Sequence, residues 1–216
     1  DKKFKVILCT KNYAISKSDV ALIEGQKYFY IDDDRLEYYI NLNKHLGNAS
    51  KYQLLGNLFS GQKIANLDEV IPAIQGKMGG LTYYSFSIEP EKLLKIGYIL
   101  HRTDANRNDM PTYQRLIKKS RLKQIETFIN NGGFFPNSVI ISIDTNKKGL
   151  TFSLSSLQDE ASISKIGLLK LPQRYKSVYI IDGQHRLYGY ANTQYKETNT
   201  IPVVAFLDLA KNDQIK

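Results

Sequence analysis

Five consecutive residues, Asp182–Gly183–Gln184–His185–Arg186, gather the side-chain types best suited to handling an anion. Arg186 offers a planar fork of donors for phosphate oxygens, and each charge-assisted hydrogen bond is worth about 1.5–3 kcal/mol. His185 can donate or exchange a proton near neutral pH. Gly183 permits a backbone conformation that a side chain resists and lets the main chain approach a phosphate closely. Asp182 can accept a ribose hydroxyl, hold a metal ion such as Mg²⁺, or cap a helix. The competing structural explanation is a plain Asp-Gly turn with a surface His–Arg pair.

The flanking residues decide what this pentapeptide does. Val178–Ile181 is an apolar run of strand type, and Leu187, Tyr190 and Ala191 continue the chain in helical spacing. A glycine turn from strand into helix directs main-chain N–H groups toward an anion. The small residues Gly189 and Ala191 mark where that helix must pack closely, and Tyr188 and Tyr190 read as packing rather than base-stacking residues. Upstream, Gln114–Lys123 holds Arg115, Lys118, Lys119, Arg121 and Lys123 with no acid. Leu122, Ile125 and Ile129 place a buried stripe on a helix starting near Arg121, with Ser120 as its cap, Asn131–Gly132–Gly133 as its stop, and Arg121 and Lys123 turned away from the stripe. Val139–Ile143 then reads as a strand.

The rest of the chain supplies a scaffold. Phe4–Cys9 reads as a buried strand, Ser16–Gly25 as a helix, Tyr28–Ile31 as a second strand, and Asp32–His45 as a helix burying Leu36, Tyr39, Ile40 and Leu46. Three acids opening that helix suit its positive end. Ser50–Phe59 reads as a helix. Val70–Gln75 and Leu81–Ile88 read as paired strands turned by Gly76, Gly79 and Gly80. Pro90 starts a short helix carrying Leu93, Leu94, Gly97 and Tyr98. Residues 144–176 read as a hairpin or excursion, and Ile201–Val204 as a further strand.

The 216 residues carry a net charge of +9. The surplus is uneven: residues 1–110 hold 15 basic and 13 acidic side chains, and residues 111–216 hold 15 and 8. A basic half suits an anionic partner such as DNA or nucleotide phosphate. Forty-two per cent hydrophobic content excludes long disorder, and the single Cys9 excludes an internal disulfide. No run approaches the ~18 apolar residues of a membrane span. These features, with an opening Asp1, suggest an excised piece of a cytoplasmic protein.

The pentapeptide and its surroundings resemble the DGQHR-domain family, a DndB-like branch of the ParB/sulfiredoxin-like superfamily. Leu187–Tyr188–Gly189–Tyr190, Ile201–Pro202–Val203–Val204, Tyr113–Gln114–Arg115, Arg121, Ile125, Gly132 and Phe135–Pro136–Asn137 extend the resemblance. It implies an α+β fold: a ParB/sulfiredoxin-like mixed sheet with helices over residues 66–216, preceded by a partial α/β (βαβα) segment or linker over residues 1–65. Related ParB proteins bind CTP, and sulfiredoxins bind ATP, at the equivalent turn. Carried over, Gly183 would cradle nucleotide phosphate and His185 and Arg186 would contact it; Gln184, which departs from both relatives, would join this binding site, His185 and Asp182 would serve catalysis, and Asp182 would bind Mg²⁺. Gln184 stands where sulfiredoxins carry a cysteine, so chemistry on sulfur is not expected. Similar DGQQR proteins carry a Tyr/Phe-Gln-Arg run, which implies that Gln114 and Arg115, with Arg121, face the nucleotide.

The implied function is binding of a nucleoside triphosphate (ATP or CTP), with hydrolysis as the further step, in a bacterial DNA modification or defence system such as phosphorothioation. Its partners would be DNA, nucleotide and other DNA-modification proteins. A non-catalytic DNA-binding regulator or adaptor is the alternative, and a ParB-like nuclease stands third because His45 and His101 show no metal-ligand spacing with acids.

Overall fold

A computed structural model describes residues 4–67, 70–99, 117–156 and 161–209. The N-terminal elements are β1 (Ile7–Cys9), α1 (Lys17–Gly25), β2 (Phe29–Ile31), α2 (Asp33–Leu46) and α3 (Ser50–Leu58). Beyond them come β3 (Ile71–Met78), β4 (Leu81–Ile88), α4 (Pro90–Ile96), β5 (Gly97–Tyr98), α5 (Lys119–Asn130), β6 (Val139–Ile143), β7 (Thr151–Leu154), β8 (Lys165–Lys170), β9 (Val178–Asp182), α6 (Gln184–Tyr190) and β10 (Ile201–Leu207). The fold is α+β, with one eight-stranded mixed sheet in the order β5-β9-β6-β10-β4-β3-β8-β7.

Local chemistry explains most boundaries. Ser16 caps α1 by accepting from Asp19 N, and Asp32 caps α2 by accepting from Arg35 N at 2.8 Å. Asp33 accepts from the Asn12 amide, so these acids serve the backbone. Gly79 and Gly80, at φ +55° and +79°, make the tight turn between β3 and β4; two positive φ values match the twist of a two-residue hairpin. The 144–176 excursion is a hairpin, β7–β8, added at the edge of the sheet opposite β9.

Several expectations need correction. Gly76 is not a turn residue: it lies within β3 opposite Tyr83, whose ring would come 2.6 Å from an added Cβ. Its bare backbone makes room for that ring. Gly97 and Tyr98 leave the helix and pair in parallel with Val178 and Tyr179; glycine fits this exit, where an added Cβ would meet the Leu93 carbonyl at 2.7 Å. Helix α5 begins two residues earlier than its stripe suggested, with Lys118 rather than Ser120 at the cap. On α2 the buried positions are Leu42 and Leu46, whereas Ile40 is exposed. The Phe4–Cys9 run shortens to three paired residues, and Phe4, Val6, Ile7 and Leu8 are exposed rather than buried.

Among the described residues, one hydrophobic core joins the sheet to helices from both ends of the chain. Ile141, Val178, Val203 and Ala205 are fully buried beneath α6 residues Leu187 and Tyr188. Leu42, Leu46, Ala49 and Tyr52, from the segment ending near residue 65, belong to the same core as the sheet and α6. Polar groups stitch the joint: the Gln53 amide donates to the Tyr188 hydroxyl, and the Tyr52 hydroxyl donates to Glu91.

Gly189 sets the distance between α5 and α6, since an added Cβ would fall 2.3 Å from Ile125 Cγ2. Gly189→Ala is therefore expected to destabilise the fold by about 1–3 kcal/mol through overpacking, measured by urea denaturation. Pairing it with Ile125→Ala should recover part of that loss, because the second substitution removes the clashing atoms.

Candidate functional site

The pairing of β9 with β6 builds the site. These strands are antiparallel, with Asp182 opposite Ile140 and a register shift between Ile140 and Ile141. The end of β9 therefore lies beside the start of β6, and the loop entering β6 comes against the turn leaving β9. Bulges of this kind re-aim neighbouring groups and recur beside functional sites. Gly183 occupies the turn at φ +87°, a left-handed conformation that disfavours any side chain. An added Cβ there would also lie 3.0 Å from both Arg186 Nη2 and Val139 Cγ2.

Asp182, Gly183, Gln184, His185 and Arg186 all line one cleft of about 780 Å³. Arg121, Gln124 and Ile125 of α5 form one wall, and Phe135, Pro136 and Asn137 close another side. This is within the ~300–1,000 Å³ range of small-molecule sites. The sequence reading brings Asp182–Arg186 and Arg121 together in this cleft. Gln114 and Arg115, like Tyr113 and His101, lie outside the described residues. Gln124 and Asn137 were not singled out as site residues, although Gln124 lies three residues from Arg121 and thus on the same helical side.

Arg186 does not simply reach into the cleft. Its Nη1 donates to the Asn137 carbonyl, and its Nη2 donates to the Ser138 carbonyl at 3.1 Å and to Asp182 Oδ2 at 3.3 Å. The guanidinium thus clamps the β6 entry loop to the turn, leaving Nε–H and one further Nη1–H outside these contacts. Asp182 remains at the end of β9 with its side chain 70% exposed, and Gly183 takes the cap position without a side-chain hydrogen bond. Helix α6 has only seven residues, so its dipole adds little, and an anion placed here would meet mainly side chains and the turn's amides.

His185 differs from its neighbours. Its Nε2 is buried without a hydrogen-bond partner among the described residues. Burial and the nearby Arg121 charge hold its pKa below the ordinary histidine value, against an opposing pull from Asp182. The imidazole is therefore neutral near pH 7, with one ring nitrogen able to donate a hydrogen bond and the other able to accept one. Among the described residues no three His, Cys, Asp or Glu side chains come together as a metal nest. Mg²⁺ bound here would take Asp182 at most, and its other ligands would be phosphate oxygens and water, a common arrangement for this ion.

No helix among the described residues is long and apolar enough to cross a membrane. No curated protein and no solved structure matches this chain. Residues 71–215, more than half of the sequence and the whole of the β3–β10 region with its cleft, match the DndB family, described as DNA-sulfur modification-associated. The strand, turn and clamped loop around Asp182–Arg186 are thus the fold of a DndB-family domain, and the chain belongs to that DNA-sulfur modification-associated family.

Proposed function

We propose that the Asp182–Arg186 cleft binds a nucleoside triphosphate, ATP or CTP, within a DNA-sulfur modification system. One observation carries this reading. The turn residues Asp182–Arg186, His185 among them, line a single nucleotide-sized cleft together with Arg121, Gln124 and Asn137. Arg121, exposed at the cleft wall, supplies the cation for phosphate, whereas Arg186 holds the loop that shapes the pocket. Gln124 and Asn137 can donate to phosphate or base oxygens. Asp182 stands where it can share a Mg²⁺ ion brought by the phosphates. DNA and other proteins of the modification system are the partners in this reading.

The hydrolytic form of the reaction balances simply. Water adds to the terminal phosphorus, the bond to the bridging oxygen breaks, and neutral His185 accepts the proton released by water. Asp182 would help position that water or the metal ion.

Calorimetric titration of ATP, CTP and GTP with Mg²⁺ tests binding, and Arg121→Ala should weaken it about tenfold or more. Phosphate next to His185 favours the protonated imidazole, so binding takes up a proton and affinity rises as pH falls from 8 toward 6. Because the phosphates also titrate in that window, the diagnostic quantity is the difference from His185→Gln, whose pH response should be flatter. A folded protein that binds none of the three nucleotides would remove the reading.

A further inference from the structure

A second groove of about 670 Å³ runs along the outer side of α5 and shares Gln124 with the cleft. Lys123, Thr127, Phe128, Asn131 and Gly133 also line it. The Phe128 ring lies on the bare Gly133 backbone, where an added Cβ would come within 2.5 Å of it, and tilts against Phe135 at a centroid distance of 5.0 Å. This support holds the ring in place while leaving Phe128 46% exposed. Phe134, the next residue after Gly133, is 75% exposed.

Charge identifies the occupant. Lys118, Lys119, Arg121 and Lys123 are exposed at the start of α5, and none has a carboxylate partner among the described residues. Cations beside an open, immobilised aromatic ring match a strand that offers phosphates and unstacked bases together. Duplex DNA keeps its bases stacked inside the helix and could use the ring only by unstacking a base step, at a cost of about a few kcal/mol. We infer that the α5 groove binds single-stranded DNA, with phosphates along the Lys118–Lys123 side and a base on Phe128. The choice of DNA rests on the family's association with DNA-sulfur modification. The surface does not depend on the cleft holding a nucleotide.

The test is fluorescence anisotropy of a labelled oligo-dT with the full chain across a series of salt concentrations. Phe128→Leu keeps an apolar side chain but removes the stacking face, and should weaken binding at least about fivefold. Lys123→Gln should reduce the log–log salt slope by about 0.7, the value for one phosphate contact on a single strand. Circular dichroism should be unchanged in both variants, and the cleft's nucleotide isotherm should be unchanged in Lys123→Gln, which does not line the cleft. This pattern with oligo-dT supports the surface whether or not ATP or CTP binds. The inference is overturned if oligo-dT fails to bind at low salt, or if both variants bind it like the parent. Tighter binding of duplex DNA or oligo-rU, or equal displacement by polyglutamate, overturns it too.

Discussion

Arg186→Ala is expected to lower folding stability by about 2–4 kcal/mol and to open the cleft even without ligand. Two main-chain carbonyls, those of Asn137 and Ser138, depend on this guanidinium. Charge-assisted hydrogen bonds are worth about 1.5–3 kcal/mol each, and the exposed Asn137 end reduces the total. The pairing with Asp182 adds little, because that carboxylate is largely in water. Arg186→Lys should recover only a small part of the loss, since a single ammonium cannot span two carbonyls and a carboxylate with fixed geometry. Urea denaturation of both variants measures the effect. Hydrogen exchange at residues 137–139 should accelerate in both, marking release of the β6 entry loop. If Arg186→Ala instead leaves stability intact and abolishes only nucleotide binding, the clamp assignment is wrong and the residue serves the ligand directly.

Glu91→Gln is expected to cost about 2–4 kcal/mol at neutral pH, the second large effect. Its carboxylate accepts from the Tyr52 hydroxyl and lies 3.3 Å from Lys196 and 3.4 Å from Lys95, with its side chain only 11% exposed. Burial alone would push this carboxyl up, but the bonds from Tyr52 and Lys196 and the two lysine charges hold it below its ordinary range. Breaking a fully buried pair costs about 3–5 kcal/mol; the exposure of Lys95 places this case lower. A depressed carboxyl stabilises the fold above its unfolded pKa, and that contribution disappears as pH falls through the folded value. The gap between parent and Glu91→Gln should therefore narrow below about pH 4.5 in denaturant titrations.

Sequence periodicity revealed elements whose buried side is set locally. The Leu122–Ile129 stripe placed α5, paired glycines placed the β3–β4 hairpin, and Gly189 marked a close-packing position, which the structure sets against Ile125 of α5. Features set by tertiary register were hidden. Nothing local in Gly97 says that it must leave a helix and pair with Val178, or that Gly76 must clear a path for Tyr83. The candidate site divides in the same way. Local pattern and family resemblance identified Asp182–Arg186, and α5 periodicity turned Arg121 outward. The inward clamp by Arg186 depends on β6 and β9 running antiparallel, which brings a loop 48 or 49 residues away against the turn. Gln124 and Asn137 entered the cleft through that same register, so no adjacent motif announced them.

The Gln53–Tyr188 contact governs where this chain can be divided. Cutting at residue 71, where the family match starts, would discard Gln53 together with Leu42, Leu46 and Tyr52. Tyr188, 2% exposed and two positions beyond Arg186, would lose both its amide donor and the apolar side chains that share its core. A shortened recombinant fragment would thus expose raw apolar surface directly behind the helix that carries His185. The evolutionary unit and the physical unit have different edges, and the physical one reaches back at least to α2.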